Sequence, residues 1–383
     1  MHRYHRLGLL PAKRHIALRR ADGGLYYEEL IGNRGFTGPS SLVYHLYLPT
    51  TVKASEMVRE TKIEAEPTRD VRNRHFDSAK VASGPSLTLD RTPVLFNSDV
   101  IMSIACPTLT DTAFARNGQF DELVYIAQGQ GKLESAFGDV AYRQGDYVVV
   151  PRGIVHRFVL GDGPHRYVIF ESAGYVRAPH RYRGEHGQLV EGAPYSERDF
   201  RVPENLNPRD EKGDFDILVK AHDVLTRVVL DHHPFDVVGW DGHYYPFAFS
   251  IHDFEPKVGR VHLPPPVHQT FEAEGFVICS FCPRPYDFDK DAIPAPYSHT
   301  NAMSDEMIFY ASAEFMSRKG VGFGSITLHP DGLPHGPQPG RTEASMGATW
   351  ADELAVMLDT FKPLHVAKGV LSAEDPTYWR SWV

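Results

Sequence analysis

Residues 121–160 read DELVYIAQGQGKLESAFGDVAYRQGDYVVVPRGIVHRFVL, and this stretch decides the fold class. Apolar runs at 121–127, 132–137 and 147–150 are short and are separated by turns that contain Gly. Short strands at regular spacing with glycine-containing turns are typical of antiparallel barrels and double-sheet jelly rolls. The stretch therefore predicts an all-β protein with few short helices.

The same pattern of short strands and turns extends outward from this stretch to both ends of the chain. Further strands are predicted at 41–47, 247–251, 275–281, 306–311, 324–328 and 353–358. Residues 203–214 (PENLNPRDEKGD) are nearly devoid of apolar side chains and predict a linker. With 383 residues, the chain is expected to form two lobes, 1–202 (core about 100–175) and 203–383.

Composition excludes several classes of protein. The chain has 40 Lys and Arg against 49 Asp and Glu, a net charge of −9 that argues against a nucleic-acid partner. No apolar run approaches the ~20 residues that a membrane helix needs. The 3 cysteines cannot form a disulfide framework, and Cys279 and Cys282 lie in an apolar run that predicts buried strand cysteines. We therefore expect a cytoplasmic protein with no membrane partner.

Histidine is concentrated between residues 262 and 335, where two carboxylates also lie. The interval contains His262, His268, His299, His329 and His335, together with Asp305 and Glu306. Two imidazoles and one carboxylate form the facial triad of non-haem Fe(II) centres, which leaves the opposite positions open for substrate and O₂. A lone histidine is more often structural, but this grouping predicts one metal centre, in the C-terminal lobe.

The order of signals in residues 121–160 resembles the cupin superfamily. Asp121-Glu122 precedes a strand, Gly-x-Gly and Gly145-Asp146 follow, and Val150-Pro-x-Gly-x-x-His156 closes the series. The resemblance implies two cupin-like jelly-roll barrels. No His-x-His precedes Asp121, so His156 is a lone candidate ligand and is expected to be structural.

Residues 299–306 (HTNAMSDE) resemble the first cupin metal motif, in which His-x-His is followed by three or four residues and Glu. Asn301 stands where the second His would be, which reduces the ligand set to three. The resemblance implies that His299, a carboxylate and the late His335 bind the metal, in the C-terminal barrel.

The carboxylate of this set is open between two neighbours. Three intervening residues make it Asp305, and four make it Glu306. We prefer Glu306, because it directly precedes the apolar run 307–310 and its longer side chain reaches further into a barrel. Asp305 would then orient the site from behind.

Three further blocks resemble the homogentisate 1,2-dioxygenase family. They are residues 234–246 (PFDVVGWDGHYYP), 297–304 (YSHTNAMS) and 325–337 (SITLHPDGLPHGP). The resemblance implies an Fe(II) enzyme of tyrosine and phenylalanine catabolism that opens the ring of homogentisate with O₂ to give maleylacetoacetate. The expected partners are a small aromatic acid and O₂, and the expected assembly is a homo-oligomer.

The resemblance also implies roles for single residues. His262, in the Pro-rich run 260–265, matches the family's base near the substrate hydroxyl. His329 matches a histidine that faces the substrate or supports a ligand, and Asp305 and Arg318 are the remaining candidates at the substrate. The simpler interpretation of His262 is a loop histidine packed beside Pro266 and His268.

Departures from the family pattern keep other functions open. Thr300 stands where the family has Arg, and Phe315 falls near the position of a substrate-binding Tyr. Gentisate or another hydroquinone acid is therefore an alternative substrate. A cupin isomerase and a non-catalytic binding protein are alternatives from other classes, although an isomerase would more often keep the ligand that Asn301 removes.

Overall fold

The computed structural model describes residues 3–68, 70–312 and 315–383, and its regular elements are nearly all strands. The strands are β1 (His5–Gly8), β2 (Tyr27–Arg34), β3 (Thr37–His45), β4 (Ala54–Glu60), β5 (Arg74–Asp77), β6 (Thr92–Phe96), β7 (Val100–Ala105), β8 (Phe114–Asn117), β9 (Asp121–Gln128), β10 (Gln130–Ser135), β11 (Val140–Arg143), β12 (Asp146–Val150), β13 (His156–Leu160), β14 (Arg166–Ser172), β15 (Phe200–Arg201), β16 (Lys212–Ala221), β17 (Val224–His232), β18 (Val237–Gly242), β19 (Phe247–Ser250), β20 (Gln269–Ala273), β21 (Phe276–Phe281), β22 (Arg284–Pro285), β23 (Asp305–Tyr310), β24 (Ser325–His329), β25 (Trp350–Ala351), β26 (Ala355–Thr360) and β27 (His365–Val366). One short α-helix, α1, spans Arg341–Ser345 in the described part of the chain. Short 3₁₀ segments lie at Ser78–Lys80, His180–Tyr182, Glu197–Asp199, Ile251–Asp253, Pro265–His268, Lys368–Ala373 and Tyr378–Trp382.

The N-terminal barrel is built from two large sheets. One has the order β11-β10-β13-β8-β16-β17-β4, and the other has the order β15-β19-β12-β9-β14-β7-β6-β27. Strand β9 is the centre of the second sheet, pairs antiparallel with β12 and β14, and is buried along seven of its eight residues. The continuous apolar runs of β9 and β12 reflect this burial on both faces. The all-β fold predicted from residues 121–160 is confirmed.

The C-terminal barrel has one six-stranded sheet, with the order β20-β21-β26-β23-β24-β5. Its second wall is made of shorter pairings, between β22 and β25 and between His299 and His335. A cavity lies between the two walls, because its lining includes Ile308 and Met357 from the sheet and Arg284 from β22. The architecture is that of two cupin-like barrels.

Strand pairing crosses the position where the linker was predicted. Residues 203–211 have no regular secondary structure, but β16, β17 and β19 follow them and pair with strands of the N-terminal barrel. Strand β18 pairs with β3 in a separate four-stranded sheet, with the order β1-β18-β3-β2. In the opposite direction, the early strand β5 pairs with β24 and completes the C-terminal sheet. The lobes 1–202 and 203–383 stay a prediction about domains, whereas the hydrogen-bonded sheets are not divided at residue 203.

The largest apolar cluster in the described part of the chain contains residues of both barrels. Tyr125 of β9 lies edge-on to Phe309 of β23, with ring centroids 6.2 Å apart. The Tyr147 hydroxyl lies at hydrogen-bond distance, 2.8 Å, from Ser280 Oγ of β21. Aromatic pairs of this kind contribute about 0.5–1.5 kcal/mol each beyond the area that they bury. They hold the C-terminal sheet against the N-terminal barrel.

Two of the cysteines lie in the interior of the protein. Cys279 and Cys282 are buried, and burial raises the pKa of the Cys279 thiol well above its usual value, which disfavours the reactive thiolate. Within the described residues, no helix has the length and apolar character needed to cross a membrane.

Candidate metal centre

The C-terminal sheet and two loops bring three predicted ligands together. Strand β23 opens with Asp305 and Glu306, and pleating sends these neighbouring side chains to opposite faces. His299 and His335 lie in two loops that pair through reciprocal backbone hydrogen bonds of 2.8 and 2.9 Å. This pairing fixes both imidazoles beside Glu306.

The donor atoms of His299, Glu306 and His335 all lie within 4.8 Å of one another. Glu306 Oε2 is 3.6 Å from His299 Nε2, and Glu306 Oε1 is 3.5 Å from His335 Nε2. Glu306 and His335 are buried, while His299 is half-buried and faces the cavity. The arrangement offers two nitrogen donors and one oxygen donor to a common point.

These residues fit a divalent metal. Within the described part of the chain, the buried His335 Nε2 has no hydrogen-bond partner. A buried polar nitrogen without a partner is costly, and metal coordination removes that cost. Two imidazoles and one carboxylate are the donor set of non-haem Fe(II) sites, and a closed zinc site would need a fourth protein ligand.

His329 supports the carboxylate of this group. It ends β24 directly opposite Glu306 in the strand register, and its Nδ1 lies 2.8 Å from Glu306 Oε1. Its ring stacks on His335 at 4.8 Å between centroids and 13° between planes. Burial lowers the pKa of His329 to about 4, although Glu306 opposes that shift, so the imidazole is neutral. His329 itself does not line the cavity, and its position allows it to orient Glu306 and His335.

Asp305 lies on the other face of β23. Its carboxylate accepts hydrogen bonds from the backbone N–H groups of Leu364 (2.6 Å) and Asp331 (2.8 Å). Its oxygens therefore hold two loops and do not line the cavity beside the three ligands. Of the two carboxylates left open by the sequence, Glu306 is the one that converges with the histidines.

The candidate centre opens into a cavity of about 200 Å³. Its lining includes Leu263, Val267, Phe281, Tyr286, Tyr297, Ile308, Phe315 and Met357. Phe281 and Phe315 meet edge-on at 6.2 Å between centroids. An apolar cavity of about 150 Å³ is enough to bind benzene, so this one can take a single substituted aromatic ring.

His262 lies at the edge of this cavity. Its side chain is 40% exposed, and its Nδ1 is 3.5 Å from Asp287 Oδ2. Its ring is edge-on to Tyr297 at 5.0 Å between centroids. The contacts with Tyr297 and Asp287 add to the packing beside Pro266 and His268 that the sequence left open. Neither of these partners was foreseen, because both are distant in sequence.

Arg318 lines the same cavity and is only 5% exposed. Its Nη1 donates to the carbonyl of Gly336 at 2.5 Å, and its guanidinium lies 5.5 Å from the centroid of the Trp382 ring. In the described residues it has no carboxylate partner. A buried cation without a counter-ion is costly, and an anionic ligand would remove that cost.

Other charged residues of this cavity were not predicted from the sequence, and Arg284 and Asp359 are two of them. Arg284 is paired with Glu353 at 3.1 Å and lies over Phe281. Asp359 lies opposite Glu306 in the register of β26, and burial foremost, with the nearby Glu306, raises its pKa to about 8. The sequence feature that could have revealed Asp359 is its position directly after the apolar run 355–358, where a charged residue continues a buried strand.

The chain has relatives along all or part of its length. Residues 98–251 match the family model described as the N-terminal part of homogentisate 1,2-dioxygenase. A Saccharolobus solfataricus protein that carries the provisional name of dioxygenase is 40% identical over 382 residues, which are 99% of this chain and 98% of that protein. The homogentisate 1,2-dioxygenase of Rhodopseudomonas palustris strain BisB5 is 28% identical over 268 residues, which are 66% of this chain and 58% of that protein.

The match to that homogentisate 1,2-dioxygenase therefore covers less than two thirds of its length. A cupin barrel protein from Leptotrichia buccalis matches 80% of this chain and 100% of that protein, with 10% identity and a TM-score of 0.34, which is too low to bear on function. The relatives named above support an oxygenase and leave its substrate undefined. The predicted family is confirmed: the chain belongs to the homogentisate 1,2-dioxygenase family.

Proposed function

We propose that the protein is an Fe(II)-dependent dioxygenase that cleaves the ring of a hydroquinone-type aromatic acid, with homogentisate as the substrate. The observation that carries the proposal is the convergence of His299, Glu306 and His335 at an aromatic-lined cavity that also contains Arg318, which has no carboxylate partner among the described residues. Membership of a dioxygenase family supports the same reaction class.

The metal would be held by His299, Glu306 and His335. Bound there, Fe(II) would supply Lewis-acid activation of an aromatic hydroxyl and open positions for O₂. The chain's own residues would do the remaining work of binding the acid, orienting its ring and moving its proton.

His262 is the proposed base for the substrate hydroxyl. Asp287 lies beside Nδ1, at 3.5 Å, and this favours the tautomer that carries its proton on Nδ1. Nε2 is then the atom that can accept the hydroxyl proton. A histidine suits this role because its usual pKa of ~6.5 lies near working pH.

Arg318 is the proposed anchor for the substrate carboxylate. Its guanidinium is fixed by Gly336 and Ser317, and the rings of Phe281 and Phe315 form part of the same lining. A fixed guanidinium binds a carboxylate with directional, charge-assisted hydrogen bonds. Held at one end in this way, the ring would lie between aromatic walls that exclude water. His329 would act on the substrate only through Glu306, and Asp305 only through the loops that it holds.

Metal analysis and O₂ uptake test this proposal together. The full chain, loaded anaerobically with Fe(II), is expected to bind about one iron per chain through this triad. It should consume O₂ with homogentisate faster than with gentisate or other dihydroxyphenyl acids. No O₂ uptake with any of these acids would show that the ring-cleavage proposal is wrong, and a preference for gentisate would change only the substrate.

Variants of the ligands complete this test. His299→Ala, His335→Ala and Glu306→Ala should each lose iron. Asp305→Ala should weaken iron binding less, by roughly the 10–100-fold typical of residues that support a ligand. The control is His186→Ala, since His186 is exposed and pairs only with its neighbour Glu185. Iron retained in any of the three ligand variants, or a stronger effect from Asp305→Ala, would contradict the assignment.

A further inference from the structure

A second cavity, larger than that of the candidate metal centre, lies in the N-terminal barrel and has no part in the proposed reaction. Its volume is about 650 Å³, against about 200 Å³ at the candidate metal centre. Strands β8, β9, β14 and β16 contribute to its wall, and residues 59–64 form part of its rim. A space of this size and wall chemistry falls in the range of small-molecule binding sites.

The inner wall of this cavity contains a buried network of charged groups. Glu122 of β9 and Glu171 of β14 are register partners in neighbouring strands, and Asn117 Nδ2 donates to both at 3.0 and 2.7 Å. The Arg91 guanidinium donates to both oxygens of Glu122, at 2.6 and 3.2 Å. The Lys220 ammonium donates to both oxygens of Glu171, at 2.7 and 2.8 Å.

The cations of this network face the cavity more than the carboxylates do. The side chains of Glu122 and Glu171 are each 3% exposed, whereas those of Arg91 and Lys220 are 13% and 18% exposed. The network is neutral in formal charge, but its exposed side is therefore positive. An anion that approaches through the cavity meets the guanidinium and the ammonium first.

Both cations also have hydrogen-bond donors left over. Arg91 uses three of its five N–H groups, two for Glu122 and one for the carbonyl of Leu87. Lys220 uses two of its three N–H groups for Glu171. Across residues 3–68, 70–312 and 315–383, these groups make no further hydrogen bond, and Arg91 Nη1 also lies at ion-pair distance, 3.6 Å, from Glu171 Oε1. The wall thus offers donors to a ligand, and its carboxylate oxygens already accept bonds.

The rest of the cavity wall is partly apolar, and its rim carries both cations and carboxylates. The apolar part comes from Ile63, Pro93, Ile101, Ala115 and Leu218, beside the polar Thr88, Thr92, Ser103 and Arg116. At the rim, Lys368 is paired with Glu64, whereas Lys62 has no ion-pair partner in the described residues. A ligand that suits this cavity has an anionic end for Arg91 and Lys220 and an apolar body for the remaining wall.

We infer that the N-terminal barrel contains a binding site for a small organic carboxylate with an apolar body, separate from the metal centre. A metal cation does not suit this position, because the guanidinium and ammonium already bond the carboxylates that would be its ligands. The inference does not depend on the proposed reaction.

The site can be tested directly by soaking crystals of the whole chain with 4-bromobenzoate. Anomalous scattering should place the bromine in the N-terminal cavity, with the carboxylate between Arg91 and Lys220. Calorimetric titration with the same probe should show an affinity that falls as salt rises, as expected for a charge-assisted contact. Bromine found only in the cavity of the metal centre, or no bromine in the protein, would overturn the inference.

Two variants test the site in different ways, one by removing a charge from the cavity wall and one by filling part of the cavity. Lys220→Gln removes the charge but keeps a donor for Glu171, and it should weaken binding about tenfold, as loss of one charge-assisted hydrogen bond does. Ala115→Leu occupies part of the cavity, leaves every charge in place and should abolish the bromine signal there. Thermal unfolding of each variant establishes that it is folded. Affinity equal to the parent's in both folded variants would overturn the inference.

Discussion

Among single residues, Glu306 connects all the imidazoles of the candidate centre. Burial alone would raise the pKa of its carboxyl, but the nearby His299, His329 and His335 hold that pKa well below its usual range. An ionised carboxylate is the form that a metal needs. The histidines thus keep the Glu306 carboxylate ionised, which is the form that binds a cation. His329 contributes to this without being one of the three proposed ligands.

The histidine-rich interval and the resemblance to the cupin metal motif predicted His299, His335 and a carboxylate as ligands, and they favoured Glu306 while leaving Asp305 open. Adjacent residues of a strand point to opposite faces, so the answer depends on which face is the inside of the barrel. In the structure, the backbone N–H groups of Leu364 and Asp331 take up Asp305. Both groups come from distant loops, and no local pattern around residue 305 reveals them.

The His262 base hypothesis gives a prediction at the residue scale. His262→Ala should retain iron and lose kcat by about 10²–10⁴, the usual range for a general base. Asp287→Asn should lower kcat less, because it keeps the base and removes only the carboxylate beside Nδ1. Steady-state O₂ uptake and iron content of both variants measure this.

Tyr297→Phe is the matched control for these two variants. It keeps the edge-on ring contact with His262 and should turn over at nearly the parent rate. His262→Ala with the parent kcat and an unchanged pH–rate profile would remove the base role from His262.

Among the elements, the central strands were predictable and the peripheral pairings were not. Strands β9, β12, β21 and β23 are apolar runs whose burial the composition alone indicates. Strand β5 reads RHFD and has no such pattern. It forms a strand because it pairs with the edge of β24 and because Arg74 bonds buried carboxylates. The β24 partner and Glu374 are distant from β5 in sequence.

Arg74 is the centre of a buried ion network at this edge of the C-terminal sheet. It bonds Glu66, with one contact at 2.9 Å, and Glu374, with contacts at 2.8 and 2.5 Å. All three side chains are nearly buried. The network joins β5 to the segments that precede it and that end the chain.

Arg74→Met should therefore destabilise the protein by about 3–5 kcal/mol, because it leaves the buried Glu66 without its cation and leaves Glu374 with Arg72 alone. The measurement is urea unfolding at neutral pH, compared with Lys80→Ala, which removes an exposed pair to Asp77 and should cost under about 0.5 kcal/mol. Since β5 flanks the strand that ends in His329, iron affinity should also fall in Arg74→Met. Equal stability of the two variants would show that the Arg74 network contributes little.

Across the whole molecule, the two barrels depend on each other's chain segments. Composition and the polar run 203–214 predicted two lobes, but the run does not mark a break between sheets, since β16 pairs in parallel with β8. The pairing partner of a strand is set by the global packing of faces and edges, which a local pattern does not encode. We therefore expect that fragments 1–202 and 203–383, when produced separately, do not fold as they do in the whole chain.

His45 is one of the residues that join distant segments. It lies at the end of β3, with Nδ1 2.7 Å from Asp236 Oδ1 and Nε2 3.1 Å from Glu29 Oε2. Burial alone would lower its pKa, but the hydrogen bonds and charges of Asp236 and Glu29 outweigh burial and raise the pKa to about 9. The protonated imidazole therefore holds the β2–β3 hairpin to the segment between β17 and β18.

This raised pKa predicts how stability depends on pH. The unfolded chain has a His45 pKa of ~6.5, so the stabilisation is fully present below about pH 6.5 and is lost as the pH rises through about 9. At 1.36 kcal/mol per unit, the shift corresponds to about 3 kcal/mol of unfolding free energy. Unfolding of the parent and of His45→Gln should therefore differ most near pH 6 and converge towards pH 10. His15→Gln, which alters an exposed histidine paired with Glu28, should follow the parent throughout. Parallel curves for the parent and His45→Gln over this range would show that folding does not raise the His45 pKa, and that Asp236 and Glu29 do not stabilise the protonated imidazole.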